Sequence, residues 1–346
     1  MIYQLDPLTD ARWQELVRSH PKVSIFHTVG WLRAIEETFA YSPIVLTTSR
    51  PGAPLDNGVA LCRINSWLTG RRLVSLPFSD HCEPLVHDEG HLTEIVSFLE
   101  ARAREGHYKY VELRPADVVI GARPAWQISQ AFYLHRLNLG KQNPSGLYLS
   151  FHKGCVRRRI SRAIKESIEI RRGRSSDILN DFYGLVIKTR RRQGLLPQPN
   201  AWFAAILNHL AHNSEIYCAY KEGRPIAAIL ALRFRKTLYY KYGASDAHFH
   251  RIGAMPYLLW MAIQDAIESG LDELDMGRTD YANASLATFK DRWNTSRFPL
   301  SYWRTPASAP SPLATKLPTR ITTRAFAYLP ATGLRVLGDF CYRHAG

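Results

Sequence analysis

The chain is predicted to be an α/β protein with mixed α+β sheets, and three features carry that reading. Apolar residues at helical spacing alternate with short β-branched runs along most of the 346 residues. Paired strands joined by Pro/Gly/Asn/Asp-rich turns, not single crossover strands, lie between the helices. The order helix, antiparallel strands, helix, strand occurs twice, which points to two related α/β units and away from a Rossmann arrangement.

Residues 1–150 are taken as the first unit. VGWLRAIEETF (29–39) has helical spacing through Trp31, Leu32, Ile35 and Phe39, and PIVLTTS and GVALCRINSWL follow as strands. RRLVSLPF (71–78) reads as another strand, ending in the polar run Ser79-Asp80-His81-Cys82. LTEIVSFLEARAREG (92–106) is an amphipathic helix stopped by Gly106, and YKYVELRP is a strand after it.

Residues 151–175 are predicted as a basic helix linking the units. Val156, Ile160, Ala163 and Ile164 share one face, and Arg158, Arg162 and Lys165 another. The second unit, 176–305, opens with a helix from Ser176 or Asp177 to Gly194 and a second helix with Asn200 as its cap. Three strands follow in SEIYCAYKEGRPIAAILALRFRKTLYYKYGAS, then the apolar helix MPYLLWMAIQDAIESG and the short strand LDELDMG.

The tail, 306–346, begins with a Pro/Ser/Ala/Thr-rich patch at 307–319. Beyond it Phe326, Tyr328, Leu329, Leu334, Val336, Leu337 and Phe340 lie among Arg320, Arg324, Arg335 and Arg343. This segment is either a short helix resting on an anionic membrane surface or a tail packed on its own domain.

Composition narrows the partners. A net charge of +15 is concentrated at 153–174, where nine Lys/Arg face two Glu, and at 188–192 (KTRRR). Such a field favours phosphates, nucleotides, nucleic acid or an acidic membrane face, although a merely soluble basic surface has the same composition. No run approaches the roughly 20 apolar residues that cross a bilayer, and the first residues lack the apolar core of a signal peptide. Five scattered cysteines without a CxxC suit a reducing compartment, so a cytoplasmic protein is expected. His81, Cys82, His87 and His91 match no common zinc spacing, and no metal is expected.

The sequence lacks GxSxG, GxxxxGK[ST], a GxGxxG after a strand and HExxH, which lowers the weight of hydrolase, NTPase, dinucleotide enzyme and metalloprotease. A different order of residues stands out at 239–296. A strand ends Tyr-x-Tyr-Gly-Ala-Ser, a long apolar helix carries Trp260 and stops at Gly270, a strand gives Asp275-x-Gly277, and Phe289-Lys290-x-x-Trp293 follows a short loop. This block resembles the second acyltransferase-like domain of the Fem family, the FemAB-like transferases that add aminoacyl groups to peptidoglycan precursors. FHTVGWLRA (26–34), LPFSDHCEPLV (76–86) and RRRISRA (157–163) are supporting echoes, so the resemblance covers about residues 20–305.

The resemblance implies tandem GNAT-like acyltransferase domains with a substrate channel, no tightly bound cofactor, and acyl-CoA or aminoacyl-tRNA as co-substrate. It also implies that Phe289 and Lys290 line the site, with Lys290 neutralising charge on the attacked carbonyl. Acyl transfer to an amine needs a deprotonated nucleophile, a stabilised oxyanion and two placed substrates. Asp275, near a strand end, is positioned to orient or deprotonate an amine or to cap a turn, and Asp80 stands similarly in the first half. Tyr239, Tyr240 and Tyr242 spread over both faces of their strand, which leaves one hydroxyl for the channel. The catalytic candidates are therefore Lys290, Asp275, Asp80 and Tyr242. Candidate substrate contacts are Phe289, Tyr239, Arg278, Trp31, His81, Arg158 and Arg162.

Donor phosphates are expected at Arg251, Gly253 and Ala254. GNAT enzymes place a glycine turn and a helix N-terminus there, and this chain keeps one glycine of the pattern. Some Fem members have a paired-helix arm that this sequence has no segment for, which leaves the donor open between acyl-CoA and aminoacyl-tRNA. The expected function is acyl or aminoacyl transfer onto a cell-envelope or exopolysaccharide precursor, in the cytoplasm or at the inner membrane face. Lys290→Ala is expected to lower turnover and leave thermal stability nearly unchanged. The rivals are a non-catalytic RNA-binding protein using 153–174 and a degenerate GNAT pair serving as a peripheral-membrane scaffold.

Overall fold

Local rules account for most element boundaries in the computed structural model, which describes residues 1–118, 120, 123–140, 143–306 and 329–345. In chain order come β1 (Tyr3–Leu5), α1 (Ala11–Ser19), α2 (Val29–Phe39), β2 (Ser42–Thr47), β3 (Val59–Ser66), β4 (Gly70–Val74), α3 (Glu89–Arg104) and β5 (Tyr110–Leu113). Then follow β6 (Gln127–Asn138), α4 (Pro144–Ser150), α5 (Arg158–Lys165), β7 (Glu169–Gly173), α6 (Ser176–Gln193), α7 (Asn200–His209), β8 (Ser214–Lys221), β9 (Arg224–Phe234) and β10 (Thr237–Ser245). The chain continues with α8 (Ala254–Glu268), β11 (Glu273–Asp280), α9 (Ala284–Asp291), β12 (Ser296–Thr305) and α10 (Ala331–Tyr342).

Contacts divide the chain into two compact units. The first holds Met1–Ala131 with 299–306 and 339–345, and the second holds Phe132–Phe298 with 329–338. In the first unit the sheet runs β1-β2-β3-β4-β5-β12. Its pairs are antiparallel except β4–β5, which α3 joins as a parallel crossover. Ile95, Val96 and Leu99 of α3 pack on Ile44, Leu46, Val59, Leu61 and Leu73. Each fully buried aliphatic side chain of that kind contributes roughly 1.5–3 kcal/mol. The predicted strand 71–78 ends early, at Val74, because Leu76 (φ +40°) and Phe78 (φ +66°) turn the chain out of the sheet around Pro77.

The second unit's sheet runs β6-β11-β10-β9-β8-β7. Tyr217, Ala219, Ala227, Ile229 and Ala231 alternate onto one face, where Leu258, Ala262 and Ile263 of α8 and Val156, Ile160 and Ala163 cover them. Tyr220, of opposite parity, hydrogen-bonds Asp181 of α6 on the other face. Gly194 ends α6 in the left-handed region, as its sequence position predicts.

Several expectations need correction. Residues 151–174 are not a linking helix. They form a π-turn (Lys153–Arg157), then α5, then β7, which pairs antiparallel with β8, so all of them build the second unit. Ile164 is exposed and leaves the apolar face to Val156, Ile160 and Ala163. Asn200 is the first helical residue of α7, not its cap; Pro199 holds that place, and the buried Asn200 Oδ1 has no hydrogen-bond donor among the described residues. The loop expected after Gly277 contains α9, capped by Asn283, whose side chain accepts the Leu286 N–H. The patch 307–319 and Arg320, Arg324, Phe326 and Tyr328 lie outside the described residues, whereas Leu334 is buried in α10. No helix among the described residues is long and apolar enough to cross a membrane.

Candidate active site

Strands β10 and β11 run parallel but pair only through Thr237↔Glu273, Leu238↔Leu274 and Tyr239↔Asp275. Beyond that point β10 stays with β9 as far as Ser245↔Ala227, and β11 stays with β6 as far as Asp280↔Phe132. The two strands therefore part after Tyr239 and Asp275. Backbone groups on the facing edges lose strand partners there and must find others. Bulges accompany the parting, between Tyr240 and Tyr242 on β10 and between Asp275 and Arg278 on β11. Gly277, at φ +70°, supplies the left-handed residue that the second bulge requires.

Two predicted residues converge on that bulge. The Asp275 carboxylate accepts the Gly277 N–H at 2.6 Å, and Lys290 Nζ donates to the Gly277 and Arg278 carbonyls at 2.9 and 3.0 Å. Each side chain is only 3% exposed. His135 of β6 lies within their field. Burial first, and the Lys290 charge second, push its imidazole down to about 4 against the opposing pull of Asp291 and Asp275. His135 is therefore neutral at pH 7. Its Nδ1 stands 3.2 Å from Thr295 Oγ1, and its Nε2 has no hydrogen-bond partner among the described residues.

The turn after β10 builds a second feature. Asp246 caps a short 3-10 turn (Ala247–Ile252), and Gly253 at φ +87° turns the chain into α8. A Cβ on Gly253 would lie 2.4 Å from the Arg159 carbonyl oxygen, so no other residue fits without moving α5. No side chain caps α8, which leaves the first N–H groups of the helix without partners within it. Ala254, Met255 and Pro256 line a cavity of about 190 Å³ there, with Arg159, Arg292 and His250 as basic walls and Phe249 and Phe289 as apolar ones. Orphan N–H groups, the positive end of a helix of 15 residues and guanidinium groups together make an anion-binding arrangement.

Two titrating groups in this wall are tuned. Burial opposes charge on Asp246, but hydrogen bonds from Lys188 and His248 outweigh it and hold the carboxyl below its ordinary value. Burial, then Arg192 and Arg159, lower the His250 imidazole, which lies 2.9 Å from Ser245 Oγ.

Of the predicted residues, Gly253, Ala254 and Phe289 gather at the cavity and Lys290 and Asp275 at the bulge. Arg251 is exposed and outside the cavity wall. Tyr239 is buried opposite Asp275. The Tyr242 hydroxyl accepts the Trp202 Nε1–H at 2.8 Å, and its ring packs on Phe203, so it faces the α7 layer. Arg278 stacks on Phe132. Arg158 and Arg162 are exposed on α5, where Arg162 lies 3.8 Å from Glu166. Asp80, His81 and Trp31 belong to the first unit. There the Asp80 carbonyl accepts the Tyr302 hydroxyl, and His81 and the fully buried Trp31 pack against Phe26, which makes Trp31 a core residue.

Arg159, His250, Ser245, Arg292 and His135 were not singled out from the sequence. The expected donor turn at Arg251–Ala254, the Phe289-Lys290 pair and the arginine run 157–159 marked their neighbourhood.

Residues 151–291 match the family described as "Acetyltransferase (GNAT) domain". The UDP-N-acetylmuramoylpentapeptide-lysine N(6)-alanyltransferase of Weissella viridescens is 24% identical over 159 residues, 44% of this chain; the match spans 46% of that relative, about half its length. The crystal structure of FemX superposes with a TM-score of 0.68 at 14% identity, covering 86% of this chain and 96% of that one. A tandem GNAT protein from the clavulanic acid biosynthesis pathway gives 0.58 at 11% identity, over 90% and 99%. The chain thus carries an acetyltransferase (GNAT) domain at residues 151–291, within a tandem GNAT-like fold similar to that of FemX.

Proposed function

We propose that the chain is an N-acyltransferase of the cell envelope. It takes an acyl or aminoacyl group from a phosphate-bearing donor and joins it to an amino group of an envelope or exopolysaccharide precursor. The observation that carries this reading is the parting of β10 from β11 beside the uncapped N-terminus of α8. It supplies, in one unit, a cradle for donor phosphates and an opening between two strands for the reacting carbonyl.

A thioester of coenzyme A or an ester of tRNA laid along β10 has its carbonyl at the opening. The acceptor amine attacks that carbon, the C–N bond forms and the C–S or C–O bond breaks. The amine's proton leaves and the thiol or ribose hydroxyl departs protonated. Backbone N–H groups of β10 beside the opening meet the oxyanion, and the Lys290 charge adds to that field. The bond from the Gly277 N–H to Asp275 favours a positioning role for this carboxylate, aligning the bulge that faces the acceptor.

The alanyltransferase name of the Weissella relative supports a lysine-type amine as acceptor. The exposed Val336, Leu337 and Phe340 of α10 support working at the inner membrane face. The test is transfer from acyl-CoAs and charged tRNAs to amino-sugar and peptide-amine precursors, read by mass. Product with either donor is the expected result. A folded protein that yields none with either donor class overturns the reading.

A further inference from the structure

A second basic cavity lies in the first unit, built by strand register. Arg63↔Leu73 and Asn65↔Arg71 are cross-strand partners on β3 and β4, so all four project from one face, the face that α3 covers. The strands continue past the last turn of α3. Ile44, Leu46, Leu73 and Phe98 floor a cavity of about 430 Å³ there, and Gln4, Asn65 and Tyr108 add polar walls. Every titratable wall group apart from the phenol of Tyr108 is basic: Arg63, Arg71, Arg102 and His107.

These cations are poorly compensated. Arg63 is held by neutral groups, the Tyr108 hydroxyl at 3.3 Å and Gln4 Oε1 at 3.1 Å. Among the described residues neither Arg63 nor Arg71 pairs with a carboxylate. Arg102 lies over the Phe98 ring, 5.2 Å from its centroid, and Glu105, outside the cavity wall, is the carboxylate beside both Arg102 (3.8 Å) and His107 (3.3 Å). The Arg63 guanidinium, already oriented by neutral partners, loses little freedom when it binds, and its planar fork suits a phosphate.

We infer that this cavity is a binding site for a phosphate-bearing ligand with an apolar portion, separate from the donor cradle at α8. The arginines take the phosphate and the Ile44–Leu46–Leu73–Phe98 floor takes the apolar portion. The phosphate comes either from a soluble phosphorylated compound or from a lipid headgroup, and one experiment separates the two.

Wild-type protein and the Arg63→Gln/Arg71→Gln variant are titrated calorimetrically with inorganic pyrophosphate. Both are also sedimented with phosphatidylcholine vesicles containing phosphatidylglycerol. The α8 cradle is identical in both proteins, so a difference between them reports this cavity alone. Loss of one pyrophosphate site, weakened at least ~10-fold, assigns a soluble ligand; an equal loss confined to vesicles assigns a headgroup. Arg63→Lys/Arg71→Lys retains part of the binding in either case, and unchanged melting temperatures show that the variants fold. Equal binding by wild type and the glutamine variant to both probes, or binding by neither protein to either probe, overturns the inference.

Discussion

Lys290 anchors α9 to the β11 bulge, and that duty changes what its removal should do. Lys290→Ala leaves the Gly277 and Arg278 carbonyls without the ammonium, and a buried acceptor left unmade costs about 1–3 kcal/mol. The variant is therefore expected to lose turnover and also to melt several degrees lower, contrary to the nearly unchanged stability expected from sequence; calorimetry and a turnover assay on one preparation check both. Gly253→Ala is expected to weaken coenzyme A binding, since its Cβ meets the Arg159 carbonyl and φ +87° disfavours it. A titration showing wild-type affinity would remove Gly253 from the donor site. Acid sensitivity follows from two buried histidines, His27 and His135, each lowered to about 4, chiefly by burial. The unfolded chain takes up these protons near pH 6.5 and the folded chain only near 4. Stability is thus fully present above about 6.5 and falls as pH drops toward 4, by up to roughly 1.4 kcal/mol per pH unit for each histidine. Urea unfolding at pH 7.5 and 5.0 should show that loss, and His135→Gln should reduce it.

At the level of elements, the donor cradle depends on α8 and α5 together. Arg159→Gln is expected to raise the dissociation constant for coenzyme A about tenfold and to make binding less sensitive to salt, with the melting temperature unchanged because the side chain is exposed. Isothermal titration at two ionic strengths reads both effects. The helix α8 itself was legible because its apolar residues are many and Gly270 stops it, and α6 because Gly194 ends it. The strand β7, Glu-Ile-Arg-Arg-Gly, was not. It is an edge strand whose charged side chains face solvent, so it carries no hydrophobic alternation. The short α9 was hidden by its length of eight residues and by a cap, Asn283, that also reads as a turn residue. The parting of β10 from β11 left no trace in composition, because strand pairing is decided by neighbours far away in sequence. Phe289 and Lys290 were legible as a pair through resemblance, but not the divergence of their side chains to the cavity and to the bulge.

Across the whole molecule the two units are not consecutive stretches of chain. The first unit needs β12, whose Trp303↔Leu113, Arg304↔Glu112 and Thr305↔Val111 pairs complete its sheet beside β5. Arg304, only 1% exposed, donates to Glu112 at 2.6 Å across 192 residues, and Arg114 takes the other carboxylate oxygen at 2.9 Å. Burial pushes the Glu112 carboxyl up, but the Arg114 and Arg304 guanidiniums outweigh it and hold the carboxyl below the ordinary value. Breaking a buried pair by removing one partner costs about 3–5 kcal/mol, a large share of the 5–15 kcal/mol that stabilises a domain. A fragment of residues 1–150, the boundary that the sequence suggests for a first domain, lacks Arg304 and the whole of β12. It is therefore expected to show no cooperative thermal transition and to be cleaved rapidly by protease. Supplying a peptide of residues 296–306 in excess should restore protection if the missing strand is the cause. A 1–150 fragment that melts cooperatively on its own would show instead that β12 is dispensable and that the Glu112–Arg304 pair contributes little to the first unit.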